Sequence, residues 1–292
     1  MLVQATAKLN LGLEVLGRRN DGYHEIRTVM QEIDLADELE ILPADSLVVR
    51  CDDPALNGER NLVWKAAVEL ARECGRLPLA EITVRKRIPI AMGLGGGSSD
   101  AAAALMGLNQ FWKLDLGPER LAAVASRVGS DVPFFLWGGA ALASGRGEVI
   151  EPLPSQRGVS VSLICPESTM IDKTARLYGR LNSGHFSDGG VTQRLVQNLI
   201  AGQWADDLFH NVFEGPALQE FSSLPGILDA VERATGRRPH LSGAGPALFL
   251  YASSLVEYYS VTRALQGHRA QAYFVRTLGR SARPLAAGYP SH

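Results

Sequence analysis

Residues 89–105 read Pro-Ile-Ala-Met-Gly-Leu-Gly-Gly-Gly-Ser-Ser-Asp-Ala-Ala-Ala-Ala-Leu, and this stretch joins a glycine-rich loop to the start of an alanine-rich helix. Four glycines fall within residues 93–97, and Leu105, Leu108 and Phe111 continue at helical spacing. Glycine lets a backbone come close to a ligand, while a helix start presents unpaired N–H groups and the positive end of a dipole. The stretch therefore predicts a cradle for an anion, most often a phosphate group.

The loop departs from the two commonest nucleotide-binding patterns. A Walker loop ends in Gly-Lys-Ser or Gly-Lys-Thr, and no lysine follows Gly97. The pattern Gly-x-Gly-x-x-Gly, counted from Gly93, requires a glycine where the chain has Ser98. A flexible turn capped by Ser98 or Ser99 is the plain structural alternative, but a turn rarely needs four glycines and two serines in succession. Residues 82–88 alternate apolar and charged side chains, so a strand leads into the loop.

The composition is that of an ordinary globular protein. Of the 292 residues, 46% are hydrophobic and 21% are charged, and the net charge of −2 gives no field that attracts nucleic acid or membranes. The three cysteines form no Cys-x-x-Cys pair, and the six histidines show no metal-binding spacing. No signal peptide and no apolar run near the ~20 residues that span a bilayer is visible. These features predict a cytoplasmic protein without nucleic-acid or membrane partners.

Local patterns predict an α+β protein in two halves. Turn formers concentrate at 152–158, which places a boundary between domains 1–155 and 156–292. The first half is predicted to have strands at 2–17, 23–34, 37–42, 46–51 and 82–88, helices starting near 61, 99 and 118, and two or three strands over 134–152. The second half is predicted to have strands at 159–165, within 239–251 and at 270–276, helices at 172–182, 191–201, 215–235 and 254–266, and a loose tail after 280.

Two charged residues gain meaning only in combination. Lys8 lies in an apolar strand pattern, where an outward-facing lysine is the plain interpretation. Asp131 lies in Gly129-Ser-Asp-Val-Pro133, where a turn or cap aspartate is common. Phosphoryl transfer to an alcohol needs a group that accepts the hydroxyl proton and a cation that stabilises developing charge. A phosphate cradle, a lysine and an aspartate together are the minimum equipment of a small-molecule kinase.

Two further segments have both a structural and a functional interpretation. Residues 241–249, Leu-Ser-Gly-Ala-Gly-Pro-Ala-Leu-Phe, are a second glycine loop between predicted strands, or only a glycine-rich hairpin. Asp21-Gly-Tyr-His24 is a hairpin signal, but Tyr23 and His24 also offer an aromatic face and hydrogen bonds to a ring-bearing substrate. Both interpretations stay open at this level.

The glycine loop carries a family resemblance. The string Pro-x-x-x-Gly-Leu-Gly-Gly-Gly-Ser-Ser-Asp-Ala at 89–101 resembles the ATP-phosphate loop of the GHMP kinase superfamily, which includes galactokinase, homoserine kinase and mevalonate kinase. Asp-Gly-Tyr-His at 21–24 and Ala-Lys-Leu-Asn at 7–10 are similar to one branch only, the kinases of the non-mevalonate isoprenoid pathway. Further segments that occur in the order of that branch are 61–62, 129–134 and 241–245.

The resemblance implies a role for each matching residue. Lys8 and Asp131 match the catalytic pair. The positions that match the ATP site are Pro89, Ile90, Ala91, Met92, Gly93, Leu94, Gly95, Gly96, Gly97, Ser98, Ser99, Asn61, Leu62 and Lys86. The positions that match the substrate site are Asn10, Tyr23, His24, Tyr178 and Gly243, with the aromatic residues and His24 engaging a cytidine. The segment Asp172-Lys-Thr174, just before Tyr178, departs from the family pattern.

The resemblance also implies the fold and the ligands. The expected fold is the two-domain GHMP kinase architecture, with an N-terminal α+β ATP-binding domain, a ferredoxin-like C-terminal domain and the ligands in the cleft between them. ATP with Mg²⁺ is the expected phosphoryl donor, and the expected acceptor is the 2-hydroxyl of the small molecule 4-diphosphocytidyl-2-C-methyl-D-erythritol. The expected assembly is a monomer or weak homodimer. Two alternatives remain: another GHMP kinase, such as a homoserine or phosphomevalonate kinase, and a nucleotide-binding sensor that lacks catalysis.

Overall fold

The computed structural model describes residues 1–168, 172–203, 206–252 and 254–280, and these residues form two sheets with helices packed against them. The strands are β1 Leu2–Arg18, β2 His24–Leu42, β3 Leu47–Cys51, β4 Ala80–Arg85, β5 Ala140–Gly145, β6 Val149–Leu153, β7 Ser160–Pro166, β8 His210–Asn211, β9 His240–Leu241, β10 Leu248–Tyr251 and β11 Ala270–Arg276. The helices are α1 Leu62–Glu73, α2 Gly96–Phe111, α3 Pro118–Val128, α4 Val132–Trp137, α5 Lys173–Gly179, α6 Gly190–Ile200, α7 Glu214–Glu220, α8 Leu224–Thr235 and α9 Leu255–Ala264.

The larger sheet has seven strands and is built around the long antiparallel pair β1 and β2. Its order is β3-β4-β2-β1-β8, and β5 pairs with both β2 and β6. Lys8 lies opposite Glu32 and Asn10 opposite Met30 in this pair. Because side chains alternate along a strand, Lys8 and Asn10 point to the same face of β1. The strand thereby presents two polar side chains together in an otherwise apolar stretch.

Helix α2 fixes the glycine loop to the core of the larger sheet. Its alanines at 101–104 are all buried, and their small side chains let the helix pack closely on β1 and on α1. Leu105 and Leu108 of α2 share one apolar cluster with Leu70 of α1 and Ile82 of β4. Burial of this face holds the first turn of α2, and therefore the loop before it, in one position.

The smaller sheet has four antiparallel strands in the order β11-β7-β10-β9. Numbered by chain position, this order is 4-1-3-2, with helices between the first and second strands and between the third and fourth, as in a ferredoxin-like fold. On one face of β7, Val161 and Leu163 share a core with Leu9 and Leu11 of β1. On the other face, Ile164 packs in the cluster that includes α7 and α8. The two sheets are thus joined through apolar side chains.

The α+β class expected from the sequence is confirmed, and the smaller sheet has the strand order of the expected ferredoxin-like fold. β6 ends the larger sheet at Leu153 and β7 begins the smaller sheet at Ser160. β8 then returns to pair in parallel with β1, with His210 opposite Gly12. The boundary between 155 and 156 stays a prediction. Among the helices that the structure describes, none has the length and apolar character needed to cross a bilayer.

Several predicted elements differ in type or extent. The first part of the strand prediction over 134–152 is wrong, because 132–137 form α4: Pro133 lies in its first turn, and residues 132–136 are buried all round, so no alternation marks them. The helix predicted over 215–235 is two helices, and Pro225 lies in the first turn of the second. The strands predicted at 23–34 and 37–42 are one continuous strand, β2. The tail predicted to be loose lies outside the described residues.

Candidate active site

A cleft of about 1860 Å³ is lined by the glycine loop, the middle of β1, and the starts of α4 and α5. Sites for one drug-sized ligand usually have volumes of roughly 300–1,000 Å³, so this cleft has room for two ligands side by side. Every residue predicted from the sequence for the site lines the cleft, except Ser99. Ser99 is buried, and its N–H donates to the Gly95 carbonyl at 2.9 Å within α2.

The glycine loop needs its glycines for packing as well as for ligand approach. Gly93 and Gly95 have φ values of 84° and 73°, in the left-handed region that favours glycine. A Cβ on Gly93 would lie 2.2 Å from the Ser242 carbonyl oxygen, and a Cβ on Gly95 would lie 2.7 Å from the Phe135 ring. Gly95 is the N-cap of α2, so the chain enters the helix directly from this left-handed position. Helix α2 therefore begins at 96, earlier than the sequence predicted.

The second glycine loop is part of the same site. The Ala247 N–H donates to the Met92 carbonyl at 3.1 Å, and the Ser242 hydroxyl donates to the Gly93 carbonyl at 3.2 Å. Gly243 has a φ of 54°, and a Cβ there would lie 3.2 Å from the Lys8 ammonium. The loop over 242–247 thus supports the first glycine loop from behind and leaves space for Lys8.

Lys8 is a buried cation at the centre of the cleft. Its side chain is 4% exposed, and its ammonium donates to the Gly93 carbonyl at 2.9 Å and to the Asn10 side-chain oxygen. The Asn10 amide in turn donates to the Thr28 hydroxyl at 2.8 Å, which fixes its orientation. Burial lowers the pKa of Lys8, and the nearby Asp131 carboxylate opposes this by favouring the charged form. The outward-facing interpretation of Lys8 is therefore excluded.

Asp131 faces Lys8 from the opposite wall. Its Oδ2 lies 3.8 Å from the Lys8 ammonium, and its side chain is 37% exposed to the cleft. Although Asp131 is the N-cap residue of α4, its side chain makes no capping hydrogen bond. The carboxylate is thus free of the structural role that the sequence left open, and it is accessible to a ligand beside a fixed cation.

Lys86 lines the cleft, but its ammonium is held by two carboxylates. It donates to Asp37 Oδ2 at 2.5 Å and to Asp100 Oδ2 at 2.6 Å. Asp37 Oδ1 also accepts from the N–H groups of Arg87 and Ile88, at 2.5 and 2.8 Å. Asp37 therefore anchors the chain between β4 and the glycine loop. Sequence reasoning missed it, because an acidic residue at the start of a predicted strand carries no local signal.

The two carboxylates on Lys86 should differ in their contribution to stability. Asp37 uses both oxygens in hydrogen bonds, whereas Oδ1 of Asp100 is buried without a hydrogen-bond partner among the described residues. We expect Asp37→Asn to lower the free energy of unfolding by about 3 kcal/mol or more, as when a buried ion pair loses a partner, and Asp100→Asn to cost less than about 1 kcal/mol. Urea unfolding of both variants without ligands measures this, and equal losses would contradict it.

The effect of Asp100→Asn should also depend on pH. Burial raises the pKa of Asp100 from 3.8 to about 7, and Lys86 only partly offsets this. A carboxyl group with a higher pKa in the folded chain binds its proton more tightly there, so its contribution to stability falls as the pH rises through this interval. The stability of Asp100→Asn relative to the unmodified chain should therefore increase between pH 5 and pH 8. A constant difference would contradict the assignment.

An aromatic wall forms the other end of the cleft. The rings of His24 and Tyr178 are stacked with centroids 5.0 Å apart, and Phe186 contacts His24 edge-on at 6.1 Å. The exposed Tyr23 ring carries the Arg146 guanidinium over its face at 4.9 Å. Burial, followed by the charge of Arg18, lowers the pKa of His24 and favours its neutral form. Phe186 and Arg146 were missed in the sequence, because neither lies in a motif.

The described part of the chain does not supply a complete metal centre of its own. The described residues contain no group of three or more His, Cys, Asp or Glu side chains that would hold a metal ion. The oxygen-bearing side chains that line the cleft include Ser98, Asp100 and Asp131. This arrangement suits Mg²⁺, which keeps several waters and binds to one or two protein oxygens together with substrate phosphates.

Comparison with known proteins agrees with this geometry. The model of the GHMP kinases N-terminal domain matches residues 61–139, which include the glycine loop and Asp131. A 4-diphosphocytidyl-2-C-methyl-D-erythritol kinase of Dehalococcoides mccartyi is 41% identical over 94% of this chain and 97% of that protein. The protein of the same name from Bacillus cereus is 37% identical over 96% of this chain and 97% of that protein.

A solved structure extends the likeness to three dimensions. The crystal structure of a 4-(cytidine 5'-diphospho)-2C-methyl-D-erythritol kinase matches 96% of this chain and 100% of that chain, with a TM-score of 0.78 and 34% identity. The chain belongs to the 4-diphosphocytidyl-2-C-methyl-D-erythritol kinase family of the GHMP kinases.

Proposed function

We propose that this chain transfers the γ-phosphoryl group of ATP to the 2-hydroxyl of 4-diphosphocytidyl-2-C-methyl-D-erythritol, giving the 2-phosphate and ADP. The observation that carries this proposal is the pairing of Lys8 with Asp131 at 3.8 Å, directly beside the glycine loop. The family match over nearly the whole chain supports the acceptor.

The glycine loop and the start of α2 are suited to hold the ATP phosphates. Backbone N–H groups at the first turn of a helix have no intrahelical partner and lie at the positive end of its dipole. In this chain the first turn of α2 begins at Gly96, directly after the glycine loop. Gly97 and Ser98 also line the cleft. Asn61 and Leu62 line it near the same loop, and we assign them to the nucleotide.

Asp131 and Lys8 perform the transfer. Asp131 accepts the proton of the acceptor hydroxyl while that oxygen forms its bond to the γ-phosphorus. The bond from the γ-phosphorus to the bridging oxygen breaks, and ADP leaves with that electron pair. The Lys8 ammonium, held by Gly93 and Asn10, stabilises the negative charge that develops between donor and acceptor.

Mg²⁺ would accompany ATP. Its chemistry would be to neutralise the phosphate charge that develops during transfer. We assign the Ser98 hydroxyl and the Asp100 carboxylate to its protein contacts, since both line the cleft at the start of α2 and one Asp100 oxygen lacks a described partner.

The aromatic wall recognises the cytosine ring. We expect Tyr178→Ala to raise the KM for the cytidylated acceptor by about 10-fold, the effect of losing one base–aromatic stack, with little change in the KM for ATP. Tyr178→Phe is the matched control, since it keeps the ring that stacks on His24 at 5.0 Å. Steady-state kinetics with each substrate varied in turn measure both constants. An equal rise in both would contradict a role in acceptor recognition.

The deciding experiment is ADP release by the purified protein with ATP and Mg²⁺, with and without the cytidylated methylerythritol. Homoserine and phosphomevalonate are the comparison acceptors. ADP release that depends on the cytidylated alcohol alone supports the proposal. Release with another acceptor would favour the other GHMP kinases, and ATP binding without release would favour the sensor.

The cellular setting and assembly are also proposals. We propose a cytoplasmic enzyme that acts as a monomer or weak homodimer. Supporting this, Cys51, Cys74 and Cys165 are free thiols, as expected in a reducing compartment. Light scattering during size-exclusion chromatography at micromolar concentration tests the assembly, and a stable higher oligomer would contradict it.

A further inference from the structure

Lys173 is a second buried lysine in the cleft that the catalytic scheme above does not use. It is the first residue of α5, the helix that also carries Tyr178, and it lines the cleft. It is only 7% exposed. Sequence reasoning passed over it, because it lies in the segment 172–174 that departs from the family pattern.

Among the described residues, the Lys173 ammonium has one hydrogen-bond acceptor and no ion-pair partner. It donates to the Gly245 carbonyl, and no carboxylate of the described residues lies within the 4.0 Å of an ion pair. An ammonium carries three donors, so the carbonyl leaves two of them without a described partner. A buried charge is costly unless it is paired, so this arrangement is suited to a ligand that supplies the negative charge.

Lys8 and Lys173 contact the same loop. A Cβ on Gly243 would lie 3.2 Å from the Lys8 ammonium, and Gly245 accepts from Lys173. Burial and then repulsion by Lys8 lower the pKa of Lys173 to about 7. This wall of the cleft therefore holds two ammonium groups with Asp131 as the carboxylate paired to Lys8. Lys173 and Tyr178 lie on the same short helix, α5, so this second ammonium belongs to the element that carries the aromatic wall.

We propose that Lys173 binds a phosphate oxygen on the acceptor side of the cleft. The proposal rests on the kinase function above and adds a residue to it. Two phosphate groups have the right chemistry: the diphosphate of the cytidylated acceptor and the phosphoryl group in transfer. Lys173 donates to one of these oxygens while the Gly245 carbonyl keeps its side chain in position.

Two substitutions separate the charge from the structural hydrogen bond. Lys173→Met removes the charge and the donor, whereas Lys173→Gln removes the charge but keeps a donor for the Gly245 carbonyl. We expect both variants to lose about 10- to 100-fold in kcat/KM for the acceptor, the size expected for a hydrogen bond to a charged group. Lys65→Met is the matched control, because Lys65 also donates to a carbonyl, that of Val128 at 2.8 Å, but lies outside the cleft.

The kinetic constants distinguish the two phosphate sources. A rise in the KM for the acceptor with kcat retained assigns Lys173 to the diphosphate, and a fall in kcat with KM retained assigns it to the transferred phosphoryl group. Lys173→Gln with unchanged kinetics, or a change confined to the KM for ATP, would overturn the proposal. Thermal unfolding of each variant shows that it is folded. If the unmodified chain itself releases no ADP with the cytidylated acceptor, the proposed function has failed instead.

Discussion

Asp131→Asn should lower kcat at least ~100-fold, from the typical contribution of a general base. The amide keeps the size of the side chain but cannot accept the hydroxyl proton. It also removes the negative charge that lies 3.8 Å from the Lys8 ammonium. ATP binding should persist, because the glycine loop and the start of α2 are unchanged.

Rapid-quench measurement of ADP formation, with titration calorimetry of a non-hydrolysable ATP analogue, separates turnover from binding. Asp229→Asn is the control for a change from carboxylate to amide, since Asp229 is exposed on α8 and outside the cleft. Near-normal turnover by the Asp131 variant would remove the carboxylate from the mechanism.

Lys8→Met should reduce kcat by about 10²–10³, the loss found when a preorganised donor for developing charge is removed. The methionine fills a similar volume, and the fold loses a cation whose pKa is already lowered by burial. The variant should therefore be at least as resistant to heat as the unmodified chain. Its activity should fall because no other described cation contacts both the Gly93 carbonyl and Asp131.

Single-turnover rates at saturating ATP, compared with the melting temperature, test this prediction. The result expected is a slow but fully folded enzyme. A variant that keeps more than half of its kcat would show that Lys8 only positions the loop. Lys65→Met again controls for the loss of a lysine elsewhere in the same half of the chain.

The sequence predicted the residues that carry the chemistry, but it did not predict the contacts that hold them in place. Lys8, the glycine loop and Asp131 each lie in short strings that resemble a kinase family, and their combination indicates the chemistry without the fold. Asp37 and Lys173 act through partners far along the chain: Asp37 binds Lys86, 49 residues away, and Lys173 binds Gly245, 72 residues away. No local pattern encodes such pairs.

The elements were misjudged where burial erased periodicity. Residues 132–136 are apolar and buried on every side, so neither a period of 2 nor one of 3.6 distinguishes strand from helix there. The length of β2 was underestimated, because the first of the two predicted strands ends at the polar Asp34. In the structure the Asp34 Oδ1 accepts from the Arg276 N–H, which lies far along the chain, and β2 continues. In both segments, contacts with the rest of the fold determined the secondary structure.

The hydrogen bonds between the two glycine loops also bear on how the enzyme matures. Ser242 and Gly93 are separated by 149 residues, so this contact cannot form until both sheets exist and have met. Contacts between residues distant in sequence form slowly, since a long loop must close before they gain energy. Recovery of kinase activity after refolding should therefore lag behind recovery of helix and strand signals. Kinase activity should therefore report a late step of folding, the contact between the two glycine loops.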